Sequence, residues 1–175
     1  MTALRDLPLE GLSPSGIWST LDDTIRRDAA LSLYRGRWDD PSGRQEADAA
    51  IAAAIHFRPV AVRKLSLEKR IGYLLKAVRP DDSLATSLLL ALHLDRRRPL
   101  LGRFLDRLGI PQDDGMIDPD HDLEPPDGER LRGAVAALRE EFPAAEVDLY
   151  LASLLAMEPE TWGGLAGLLG QERGD

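Results

Sequence analysis

The chain has 175 residues, with 30 acidic against 22 basic side chains and no cysteine. That length fits one domain, residues 1–175, with a core large enough to stand alone, and the missing thiols exclude disulfides, thiolate zinc sites and cysteine nucleophiles. Arg5, Asp6 and Glu10 interrupt the start where a signal peptide would be apolar, and no apolar run is long enough to span a bilayer, so a cytoplasmic protein outside the membrane is expected.

Helical periodicity dominates, and strand alternation is absent. The first start signal is Ser13-Pro14, a capping residue followed by a proline suited to a first helical turn, and the segment it opens ends at Gly36. At that stop stands "YRGRWDDP", where Tyr34, Arg37 and Trp38 crowd a turn. Trp, Tyr and Arg are the types that dominate binding hot spots, which makes these three the candidate partner-contact residues. Asp40-Pro41 opens the next helix. Its run of alanines (Ala49, Ala50, Ala52, Ala53, Ala54) buries little area per residue and predicts an outer or tightly crossed helix that His56 caps beside Phe57.

Ser66 starts a helix whose Leu67, Ile71, Leu74, Leu75 and Val78 share one face. Asp81 or Asp82 starts the next, from about 82 to 95, which is apolar on most sides and so belongs at the centre, with His93 closing it. Another follows from Pro99 to Gly109. Leu74, Leu88, Leu92, Phe104, Leu105 and, further on, Leu138 are the expected core. Charge is split along the chain: residues 1–57 carry a net −3, 58–107 carry +7 and 108–175 carry −12. The basic middle and acidic last third are expected to face each other, and the acidic third argues against nucleic acid as a partner.

Residues 110–126, rich in Pro, Asp and Gly, lack helical periodicity and read as an acidic loop. "DPDHDLEPPDGE", residues 118–129, partly matches a twelve-place calcium loop, with Asp118, Asp120, Asp122 and Glu129 on places 1, 3, 5 and 12. These four and His121 are the candidate metal ligands. Three features oppose the match: Leu123 stands where a glycine must bend the loop, Pro125 and Pro126 stiffen it, and the glycines and proline before it deny it an entering helix. His56, His93 and His121 stand far apart and form no metal-binding pair at helical spacing.

Asp127, Pro143 and Pro159 open the remaining helices, for about eight in all. No serine lies in a nucleophile elbow, and "GGLAGLLGQ" at 163–171 lacks the ending of a phosphate loop, so its glycines are expected to fray the terminus. The expected fold is an all-α, single-domain irregular helical bundle. Stacked helical hairpins are the alternative, because starts at 66, 82 and 99 and at 127, 143 and 159 are evenly spaced. The functional expectation is a non-catalytic protein without cofactor that acts through protein–protein contacts or self-association as scaffold, adaptor or accessory subunit. The alternative is a metal-dependent enzyme using the 118–129 loop.

Overall fold

The computed structural model describes residues 11–171. The helices among them, in chain order, are α1 (Pro14–Thr20), α2 (Asp23–Arg35), α3 (Pro41–Ala54), α4 (Pro59–Arg63), α5 (Leu67–Ala77), α6 (Asp82–Arg96), α7 (Arg98–Leu108), α8 (Gly128–Glu141), α9 (Ala144–Met157), α10 (Pro159–Trp162) and α11 (Leu165–Gln171). The fold is an all-α helical bundle. Side chains of Ser13, Asp22, Asp40, Ser66, Asp81 and Asp127 each accept a backbone N–H from the first turn they precede, at 2.8–3.4 Å. A cap of this kind contributes about 1 kcal/mol by satisfying a donor the helix cannot satisfy itself.

All eight predicted starts open a helix, but eleven helices form among the described residues. The segment from Ser13 to Gly36 is two helices, because Leu21 turns extended and Asp22 caps a new one through the Ile25 N–H. Pro59 opens the short α4, and residues 165–171 form α11 where fraying was expected. Burial explains α11: Leu165 is wholly buried, and a Cβ on Gly164 would meet Leu131 Cδ2 at 3.0 Å. Gly164 therefore lets the chain approach α8 closely.

The loop also departs from expectation. Gln112–Asp113 (β1) and Met116–Ile117 (β2) pair antiparallel, and the turn between them is Asp114-Gly115, both with positive φ (48° and 84°). Asp-Gly is the pair this tight hairpin turn favours, so the strands are specified by their turn and are too short to show alternation.

Helix α6 is the hub, packing against α1, α2, α3, α7 and α9 and burying Leu84, Leu88, Leu89 and Leu92. Ser15 ties α1 to it through the Asp82 carboxylate, and Ser32 ties α2 to it through Asp95. Helix α3 crosses it tightly, since a Cβ on Gly43 would lie 2.8 Å from Ser87 Cβ. Helix α1 packs against α9, far away in sequence, whereas stacked hairpins would touch only their neighbours. The six expected core residues are all buried. The basic middle meets the acidic third mainly along α7: Arg103 and Arg107 hold Glu141 of α8, Arg98 holds Asp114 and Arg97 faces Glu146. No helix among the described residues is long and apolar enough to cross a membrane.

Candidate functional site

Gly36 ends α2 and directs the chain across α6. A Cβ there would lie 2.4 Å from the Ser32 carbonyl oxygen and 3.0 Å from Asp95 Cγ, so only glycine fits. Asp95 then fixes the turn, accepting the Ser32 hydroxyl at 2.9 Å and the Arg37 backbone N–H at 3.1 Å. This places Trp38, half-buried, over an apolar cleft of about 390 Å³.

Leu90, His93 and Leu94 of α6 form one wall of the cleft. Its floor comes from Leu101 and Leu105 of α7 and Tyr150, Ser153 and Leu154 of α9, while Met116, Ile117 and Leu123 close the side of the hairpin and acidic loop. Beneath it the aromatic rings form a chain. His93 meets Tyr150 edge-on at 5.4 Å between centroids, Tyr150 meets Phe104 edge-on at 5.6 Å, and Phe104 tilts against Trp162 at 5.7 Å. Such pairs prefer these geometries because ring edges are positive and faces negative. Gly115 brings the hairpin close, since a Cβ there would meet Leu101 Cβ at 3.0 Å.

His93 and Ser153 bring two hydrogen-bonded polar groups into that lining. The Ser153 hydroxyl donates its single proton to the Leu149 carbonyl at 2.7 Å, so the contact of His93 Nε2 with Ser153 Oγ at 3.0 Å must carry the imidazole proton. Nδ1 is then an unprotonated acceptor, and it has no partner. Burial, with Arg97 adding repulsion, pushes the His93 pKa down to about 3, so the ring is neutral. A general base for serine would accept that hydroxyl proton, and here the imidazole donates instead.

The expected contact residues separate. Trp38 lines the cleft, whereas Arg37 does not and instead lies with its guanidinium 3.8 Å from Asp114 in the hairpin turn. Tyr34 turns the other way: its hydroxyl donates to Asp48 at 2.8 Å, and Arg70 stacks on its ring at 4.6 Å. Burial and the Asp48 carboxylate hold the Tyr34 hydroxyl protonated well above its ordinary range.

Asp118, Asp120, His121, Asp122 and Glu129 are all exposed. Asp118 accepts the Asp120 backbone N–H at 2.9 Å, and Glu129 lies in the first turn of α8 under the Asp127 cap. No group of three His, Cys, Asp or Glu among the described residues is placed to hold a metal ion. His56 is exposed at the end of α3 and His93 is buried at the cleft, so neither is near the other's role. What the loop does contribute is Leu123, whose side chain lines the cleft between the exposed Asp122 and Glu124. Periodicity could not find this cleft, because its lining comes from α6, α7, α9, a hairpin and two turns. No family model, curated protein or solved structure matches the chain.

Proposed function

We propose that this protein is a non-catalytic, cytoplasmic adaptor that receives the apolar anchor of a basic, amphipathic segment from a protein partner in the cleft under Trp38. The observation that carries this reading is Leu123, which places an acidic loop along the edge of an apolar cavity. Asp118, Asp120, Asp122, Glu124 and Glu129 have no ion-pair partner among the described residues, and Glu158 adds a carboxylate to the lining. An apolar pocket bordered by unpaired carboxylates suits an aliphatic or aromatic side chain flanked by Lys or Arg. Trp38 supplies a hot-spot side chain at the mouth, and Leu90, 36 % exposed, adds apolar surface beside it. The direction of the His93–Ser153 hydrogen bond supports a binding role over hydrolysis, and no cofactor enters this reading.

Selection from a displayed peptide library tests it. Enriched peptides should share an apolar anchor with basic neighbours, and their affinity should fall at least about tenfold in Leu90→Asp and in Trp38→Ala, as expected for a hot spot. Peptides with no common anchor, or binding that both variants retain, would overturn the reading.

A further inference from the structure

A second cavity, about 540 Å³, opens between α3, α4 and α5, on residues separate from the cleft under Trp38. Its polar lining is Arg44, Gln45 and Asp48 from α3, Arg63 from α4 and Arg70 from α5. Three arginines thus share the lining with one carboxylate in a chain whose net charge is −8.

The single carboxylate is already engaged. Asp48 is buried, accepts the Tyr34 hydroxyl at 2.8 Å and has Arg70 Nη1 at 3.4 Å. Arg70 lies over the Tyr34 ring, its contact with Asp48 is long at 3.4 Å, and its Nε is buried without a partner. Arg63 has neither ion pair nor hydrogen bond among the described residues. Arg44 meets only Asp39, an exposed carboxylate outside the lining, where solvent screens the pair. Cations gathered in a concave site raise the local concentration of anions, and planar guanidinium forks match the oxygens of a phosphate.

We propose that this cleft binds a small phosphate monoester, with Arg44, Arg63 and Arg70 on the phosphate. Within the lining the arginines exceed Asp48 by two positive charges, of which that of Arg44 is shared with the exposed Asp39, and this excess suits the dianion that a monoester approaches at neutral pH. A dicarboxylate of equal charge spreads it over two ends, whereas the phosphate presents it at one point to three donors. Pro41, Ala49 and Pro59 complete the lining with apolar surface for the group the phosphate carries.

Calorimetric titration of the full chain with phenyl phosphate in low-salt buffer decides the matter, with isophthalate as the aromatic dicarboxylate of equal charge. Phenyl phosphate should bind saturably with submillimolar affinity. Arg63→Ala and Arg44→Ala should each weaken it by at least about tenfold, as loss of a charge-assisted contact requires. Arg107→Ala, which removes an arginine held by Glu141, should leave the affinity unchanged, and circular dichroism should report every variant folded. Isophthalate binding as tight as phenyl phosphate would overturn the phosphate assignment. No saturable heat, or an equal loss in Arg107→Ala, would overturn the site itself.

Discussion

His93 Nε2 lies 3.0 Å from Ser153 Oγ, and its proton is directed into the hydroxyl, because that hydroxyl already donates to Leu149. Folding therefore selects a neutral imidazole. With a folded pKa of about 3 against an ordinary 6.5, the unfolded chain binds the proton more tightly. The contribution is fully present above pH 6.5 and declines as pH falls towards 3, at about 1.4 kcal/mol per unit. Asp82, held below its ordinary range by Ser15, and Glu141, held below its own by Arg103, change stability in the same direction, so the whole protein does not isolate the histidine. The His93→Gln variant does. Urea midpoints measured from pH 7 to pH 4 should fall less steeply in His93→Gln than in the parent, and parallel slopes would show that His93 titrates normally.

Two glycines on helices make opposite predictions. Gly133 in α8 has nothing within 4 Å of where a Cβ would stand, so Gly133→Ala should stabilise the protein by about 0.5–1 kcal/mol through the lost freedom of the unfolded chain. Gly43 in α3 has no such room, with Ser87 Cβ at 2.8 Å. Gly43→Ala should destabilise by about 1–3 kcal/mol, the range for overpacking a tight contact. Denaturant unfolding of the pair measures both signs. Two variants that moved together would mean that α3 and α6 do not cross this closely.

Helix starts were legible because each is written locally, either as a side-chain cap, of which Asp81 with Leu84 is typical, or as a proline in or beside the first turn, as at Pro99, Pro143 and Pro159. The hub was legible too, since Leu84, Leu88 and Leu92 leave α6 few polar sides. The break at Leu21 was not, because its signal, Asp22, lies inside a segment that otherwise stays apolar enough to continue. Hairpin strands of two residues cannot alternate, and only Asp114-Gly115 betrayed them. Of the cleft, Trp38 was visible as a large side chain at a stop, but its relation to Leu123 was not, since 84 residues intervene. The arginine cleft is similarly hidden: Arg44, Arg63 and Arg70 share no local pattern and share a lining only because α4 and α5 both pack on α3.

Glu141 joins α8 to the basic α7, receiving three hydrogen bonds from Arg103 at 2.7–2.9 Å and one from Arg107 at 3.3 Å. The group is open to solvent, and its contribution is sensitive to screening. Glu141→Gln should lower the melting temperature in dilute buffer, and the gap to the parent should narrow in 1 M sodium chloride, where the Debye length is about 3 Å. A gap independent of salt would assign the loss to packing of α8 instead of to charge.

The 118–129 loop is expected to form no tight cation site, and Leu123 is the reason. The sixth place of a calcium loop must bend sharply so that ligands on either side converge within about 2.3–2.6 Å of one ion. Here that place carries a side chain that lines the apolar cleft, which holds the chain in another course, and Pro125 and Pro126 restrict the backbone beyond it. Asp118, at the first place, accepts the N–H of Asp120 and shapes its own turn. Weak attraction of counter-ions to the exposed carboxylates remains, without a cage to make it saturable. Titration with calcium, magnesium and manganese should give no saturable binding at micromolar concentration, and Asp120→Asn should leave the melting temperature unchanged. A micromolar site abolished in Asp120→Asn would return the loop to metal chemistry, and Leu123→Gly, which frees the bend, should then tighten it further.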